Sequence, residues 1–272
     1  MLEAQSVDQQ LFAHTYVNGL WHVHSMFKNS FNLQNQQSKQ LIMLTFQSVR
    51  VPHGITVSYA DYLQLTAQLR VDMPIMAQQR VLYFPQAALS FQDAYSYETT
   101  WSASEQSVDQ NHLFSVIKQV EKETGFQEPL QQVFTSRHAF YQAIDSLHDR
   151  SFYKQRQAID FLIGRGIGLT PTGDDMLVGT LLARYLTQQQ DQRLDNYLKR
   201  KITAVHDLTT DVSQHYLLQA IEGNFSQTYA KVGRCRDQQT AKDVIQTIFA
   251  IGHTSGADFL AGFVRSLLHV KH

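Results

Sequence analysis

The chain has 272 residues and a net charge of −1, from 23 Lys+Arg against 24 Asp+Glu, so nothing in the overall charge draws it to nucleic acid or to an anionic membrane. A single cysteine, Cys235, excludes an internal disulfide and any multi-cysteine zinc site. The opening MLEAQSVDQQ lacks a basic stretch followed by an apolar run, no segment reaches the roughly 18 apolar residues of a membrane span, and a soluble, cytoplasmic protein is expected.

The first hundred residues read mostly as strands. HVHSMFKNSFNL (22–33) is strand-like and carries His22, His24, Asn29 and Asn32. His22 and His24 alternate onto one side, but no third ligand follows at metal spacing, so no metal site is expected there. QLIMLTFQSVRVPHGITVSYA (40–60) is rich in β-branched and aromatic residues with a turn expected at His53-Gly54, and RVLYFPQAALSF (80–91) and AYSYETTWSAS (94–104) repeat the style. SYADYLQLTAQL (58–69) reads as one short helix among them. Four of the five prolines precede residue 130, where loops and edge strands tolerate them.

From about Val108 the apolar spacing becomes helical. NHLFSVIKQVEKETG (111–125) puts Leu113, Phe114, Ile117 and Val120 on one face and predicts a helix that stops at Gly125 as its C′ residue. QRLDNYLKRKITAVHDL and AKDVIQTIFAIG behave alike. HDLTTDVSQHYLLQAIEG (206–223) places Thr209 or Thr210 at an N-cap, with Thr209 and Ser213 on one face. Cys235 lies between Arg234 and Arg236, which could lower its pKa, although no partner motif accompanies it. The expected fold class is α+β: a mainly antiparallel β domain over 1–107, packed on an all-α domain over 108–272 of roughly seven to nine helices.

The segment GRGIGLTPTGDD (164–175) holds the main functional signal. Five of the thirteen glycines fall between 164 and 179, in a region where glycine otherwise costs stability. TGDDMLVG (172–179) also matches SGADFLAG (255–262) at an offset of 83 residues. The pairs are Thr172 with Ser255, Gly173 with Gly256, Asp175 with Asp258 and Gly179 with Gly262, while Thr170 faces His253 upstream. Thr172 and Ser255 read as N-caps with an aspartate three residues on, a variant of the capping box. The second glycines would let two helices approach closely. Two well-capped, tightly packed helices need no ligand, which is the plain alternative. Against it, capping does not call for Gly164, Gly166 and Gly168 in front.

A glycine loop suits anions, whereas carboxylates repel them. Three arrangements resolve the conflict. The aspartates could cap their own helices and leave upstream N–H groups for an anion, with Arg165 as a clamp. They could hold Mg²⁺ that bridges to phosphate. Or they could accept amide or ureido N–H groups of a substrate whose oxyanion side lies on the loop. No Lys-Ser/Thr follows the glycines, so the loop is not a Walker A motif. The helical KQRQAIDFLI before it argues against a dinucleotide fingerprint.

GRGIGLTPTGDDMLVG and GHTSGADFLAG, with TTDVSQHYLLQAIEG between them, resemble the signatures of the bacterial AllH-like family, and HSMFKNSFNL with PHGITV is similar to its N-terminal part. The family is associated with the H subunit of oxamate carbamoyltransferase in ureide (allantoin) breakdown. The resemblance covers most of the chain and implies a β-rich part joined to a helical part. It further implies a role, beside other subunits, in phosphorolysis of oxalurate to oxamate and carbamoyl phosphate. The signature positions in this chain are Gly166, Gly168, Leu169, Thr170, Pro171, Thr172, Gly173, Asp174 and Asp175, then Gly252, His253, Thr254, Ser255, Gly256 and Asp258. Asp175 and Asp258 are the candidate catalytic residues. Gly166, Gly168, Thr170, Thr172, Gly173, Asp174, His253, Thr254, Ser255 and Gly256 are candidates for binding phosphate or a carbamoyl compound. The motifs fix no cofactor, with Mg²⁺ kept as an option. Two other functions compete: a non-catalytic metabolite-binding or scaffolding subunit, and an Mg-nucleotide phosphotransferase.

Overall fold

Short β-branched and aromatic runs separated by turns build the first unit, residues 1–100. Its strands are β1 (Leu2–Glu3), β2 (Ser6–Asp8), β3 (Gly19–Met26), β4 (Ser30–Asn35), β5 (Leu41–Thr45), β6 (Gly54–Thr56), β7 (Pro74–Gln78), β8 (Val81–Phe84), β9 (Ala87–Ser90) and β10 (Tyr95–Tyr97), with α1 (Tyr59–Thr66) between β6 and β7. The computed structural model describes residues 1–12, 17–101, 110–205 and 207–270.

All ten strands form one sheet in the order β1-β9-β8-β7-β3-β4-β5-β6-β2-β10. Six of the nine pairings are antiparallel, and β1–β9, β2–β10 and β5–β6 are parallel. β1 lies at one edge and β2 beside the other, so one continuous segment touches both. Ala4 N–H donates to Ser90 O and Gln5 N–H to Thr56 O, each at 2.8 Å. The sheet is thereby curled toward a barrel. Trp21, Val23, Phe31, Leu33, Ile42, Leu44, Ile55, Leu82 and Phe91 fill its core. HVHSMFKNSFNL is a hairpin of β3 and β4, with a register shift between Val23 and Ser25 that puts His24 at a bulge. Ser58 caps α1 by accepting from Asp61 N–H at 3.1 Å.

Residues 101–272 form the second unit. Its helices among the described residues are α2 (Gln110–Ile117), α3 (Ala139–Leu147), α4 (Phe152–Leu162), α5 (Thr172–Leu186), α6 (Gln192–Ala204), α7 (Asp211–Ile221), α8 (Gln227–Ala230), α9 (Gln238–Phe249) and α10 (Ser255–Leu267). A mainly antiparallel β part and an all-helical part make the fold α+β, as expected. The expected division at residues 107 and 108 lies outside the described residues. α2 ends at Ile117, well short of Gly125, which takes a different role described below.

α5 and α10 make the most extensive helix contact in the chain. They run parallel, with their N-termini together. A Cβ on Gly179 would overlap Phe259 O, and one on Gly262 would overlap Met176 O. Met176 and Phe259 are themselves repeat equivalents, so the contact is reciprocal. The two helix starts are thus related by an approximate two-fold axis along their crossing. The first glycines repeat the logic: Gly173 lies against Leu162 O of α4, and Gly256 against Ile248 O of α9. Each repeat is therefore a helix–loop–helix unit whose glycines admit two neighbouring backbones. Every α5 residue except Tyr185 is buried.

Candidate functional site

The N-termini of α5 and α10 meet, and their polar side chains cross between the repeats. Neither Thr172 nor Ser255 caps its own helix. The cap positions fall to Pro171 and Thr254, and neither makes a side-chain capping bond. The expected capping box fails because both hydroxyls are drawn across to the other repeat. Thr172 Oγ1 donates to Asp258 Oδ2 at 3.1 Å. Reciprocally, the Ser255 hydroxyl lies near the Asp175 carboxylate and, with Thr170, favours its charged form. Thr170 Oγ1 and Ser255 Oγ are 2.8 Å apart.

The three aspartates are all buried, at 1% exposure for Asp174 and Asp258 and 6% for Asp175. Their oxygens are used differently. Asp174 Oδ1 accepts from Gly164 N–H at 2.8 Å and Oδ2 from the Thr209 hydroxyl, with Ser213 alongside. Thr209 and Ser213 thus share a face directed at one carboxylate. Asp174 ties the glycine loop to the start of α7, where Thr210 accepts from Ser213 N–H at 3.1 Å. Asp258 Oδ1 accepts from Gly125 N–H at 2.7 Å, and Oδ2 holds Thr172. Asp175 Oδ2, by contrast, is buried with no hydrogen-bond partner.

Burial raises the pKa of each aspartate, and the hydrogen bonds oppose it. The effect is strongest at Asp175, where the charges of Asp258 and Asp174 push the same way. Tyr216 of α7 is pushed up to about 12, by burial and then by the Asp175 charge. Tyr229 of α8 is raised well above its ordinary value by burial first, then by Asp175, Tyr216 and Asp258. Both phenols are only half-buried. Tyr229 stacks on Phe259, the neighbour of Asp258, with ring centroids 3.8 Å apart and planes 7° apart.

The glycine loop itself is open to solvent. Ile167 at its tip is 96% exposed. Gly164, Gly166 and Gly168 have φ of 67°, 129° and 102°, in the region glycine favours. A Cβ on Gly166 would also lie 2.5 Å from Thr172 N, whereas one on Gly168 would meet nothing within 4 Å. Among the described residues no acceptor meets the N–H groups of Gly166, Ile167, Gly168, Leu169 or Thr170. Arg165 does not clamp this loop: Nε donates to Phe161 O at 2.6 Å, and the guanidinium lies 4.1 Å from the Phe161 ring centroid.

The structure brings Thr170, Thr172, Asp175, Thr254, Ser255 and Asp258 together. Gly173 and Gly256 serve helix packing beneath them, and His253 is exposed on the second turn. Sequence reasoning missed Gly125, Tyr216 and Tyr229. Gly125 looked like a helix stop, and no spacing connects two tyrosines on separate helices to a distant aspartate. Cys235 is fully buried, and burial followed by the Asp237 charge pushes its thiol up to about 11. The flanking arginines therefore do not lower it. Among the described residues no group of three or more His, Cys, Asp or Glu is placed to hold a metal ion, and no helix is long and apolar enough to cross a membrane.

Comparison with known families matches residues 162–267 to the model described as oxamate carbamoyltransferase subunit AllH. Residues 3–97 match the AllH family N-terminal domain. No solved structure matches the chain. The first match spans both glycine-aspartate turns and the second nearly the whole sheet, so the two together run across both units. The chain belongs to the AllH family.

Proposed function

We propose that this chain acts as a subunit of a carbamoyltransferase that cleaves oxalurate with phosphate, and that Asp175 is the residue that meets the substrate. The observation that carries this is the unpartnered Asp175 Oδ2 at the meeting of two helix starts. Asp258 supports the choice of ligand. Its equivalent carboxylate holds one hydroxyl from the other repeat and one amide N–H, supplied by Gly125. Asp175 has the Ser255 and Thr170 hydroxyls near it and lacks the amide. A ureido N–H supplies the missing donor with the chemistry that Gly125 already displays on the other side.

Phosphate would lie on the free N–H groups of residues 166–170, near the positive end of α5. One phosphate oxygen bonds the carbamoyl carbon, and the bond from that carbon to the oxamate nitrogen breaks. The proton that phosphate brings ends on that nitrogen. A carboxyl group with a raised pKa beside the nitrogen is suited to carrying it. Asp258 and Asp174, with both oxygens occupied, position the loops. The test is a reconstituted assay of carbamoyl phosphate formation from oxalurate and phosphate, with the other subunits present. Asp175→Asn should lower kcat by about 10²–10⁴-fold. Wild-type turnover by the folded variant would remove Asp175 from the chemistry.

A further inference from the structure

Phosphorolysis places negative charge on the carbamoyl carbonyl oxygen as the phosphate oxygen adds, and that charge calls for a donor fixed beforehand. The residues around Asp175 offer few. The Ser255 and Thr170 hydroxyls are bonded to each other and lie near the Asp175 carboxylate. The Thr172 hydroxyl is committed to Asp258, and Gly125 N–H likewise.

Tyr229 differs from all of these. Its ring is fixed by the 3.8 Å parallel stack on fully buried Phe259. Phe259 sits one residue from Asp258 and lies over Gly179 of α5, so the phenol is anchored to the crossing that sets the site. The charges of both Asp175 and Asp258 reach it. The side chain is half-buried, and among the described residues its hydroxyl has no hydrogen-bond partner. A ring held by its stack on Phe259, with an unbonded hydroxyl within reach of the charges of two buried carboxylates, is a donor waiting for an acceptor.

We propose that Tyr229 donates its hydroxyl hydrogen to the carbonyl oxygen of the carbamoyl group held at Asp175, and that it is a further catalytic residue of this site. The inference rests on the Asp175 reading above. A planar ureido group presents N–H and C=O from the same plane, so one wall must accept and another must donate. Asp175 on α5 and Tyr229 on α8 supply that pair from separate elements. The two carboxylates and burial keep the phenol protonated through the neutral range, as a donor must be.

Tyr229→Phe removes one oxygen and keeps the ring that stacks on Phe259, so the fold should be retained. In the complex reconstituted with its other subunits and supplied with oxalurate and phosphate, Tyr229→Phe should lower kcat by about 10²-fold. KM for oxalurate should change by less than about 3-fold, because the bond strengthens only as charge develops. Circular dichroism and Tm should match wild type. If Asp175→Asn is inactive while Tyr229→Phe turns over at the wild-type rate, the Tyr229 assignment falls and the Asp175 reading stands. If both variants turn over at the wild-type rate, the site itself has been misplaced and both fall together.

Discussion

A carboxyl group whose pKa is raised by burial holds its proton longer in the folded chain than in the unfolded one, and its ionisation then costs stability. Asp175 is in that position. The sign follows directly. The folded state is favoured below the ordinary carboxylate pKa, and that advantage is lost as pH rises through the higher folded value. Asp175→Asn cannot ionise, so its thermal midpoint should exceed that of wild type at pH 8, with the gap closing toward pH 4. Asp258→Ala should do the opposite at pH 8. It strands Gly125 N–H and the Thr172 hydroxyl, each at a cost of about 1–3 kcal/mol if left unsatisfied. Urea unfolding of the two variants checks both signs. A less stable Asp175→Asn at pH 8 would mean that its carboxylate supports the fold as a cap does. The sequence marked both aspartates through their shared offset, but it could not rank them. The ranking depends on Gly125, fifty residues before Asp175, which donates to one member of the pair alone.

At the scale of elements, the repeat was the most legible feature because a close helix crossing needs small residues at set positions. Gly179 and Gly262 were readable as such positions, and each faces the backbone of the other helix. The capping of those helices was misread for a physical reason. Thr172 and Ser255 have the right residue type to cap locally, yet a partner helix lies close enough to take both hydroxyls. α2 was misread in a similar way: apolar spacing continues to Val120, but the chain leaves the helix after Ile117 and turns through Glu123 and Pro129, which pair as a bridge. The crossing gives a sharp prediction. A methyl group on Gly262 would overlap Met176 O, a backbone atom with no rotamer to yield. Gly262→Ala should destabilise by about 1–3 kcal/mol or more, although alanine is the better helix former. Because the same shift parts the two turns, Thr172 should lose Asp258, and activity should fall with stability. A Gly262→Ala variant as stable as wild type in urea would show that α5 and α10 have room between them.

At the scale of the whole molecule, the switch from strand-like to helical patterning anticipated a mainly antiparallel β part followed by an all-helical part. The wrapping of the sheet was not anticipated. It depends on the first eight residues pairing at both edges, and so short a segment carries no periodic signal. The turn between β7 and β8 was equally silent. Gln79 and Arg80 adopt φ of 50° and 64° there, where a hairpin usually shows Asn-Gly or a glycine. The second unit has its own core, running from Leu113 through Met176, Leu182 and Phe225 to Phe263. Every residue proposed to contact substrate lies within it. Its length is that of an ordinary autonomous domain, and α5, buried on all sides, has its neighbours inside the unit. The segment 101–272 produced alone should therefore fold, with a helical circular dichroism spectrum, one cooperative urea transition and no excess binding of a hydrophobic dye. A broad transition with strong dye binding would instead show that this helical core is stable only when the β unit is covalently attached.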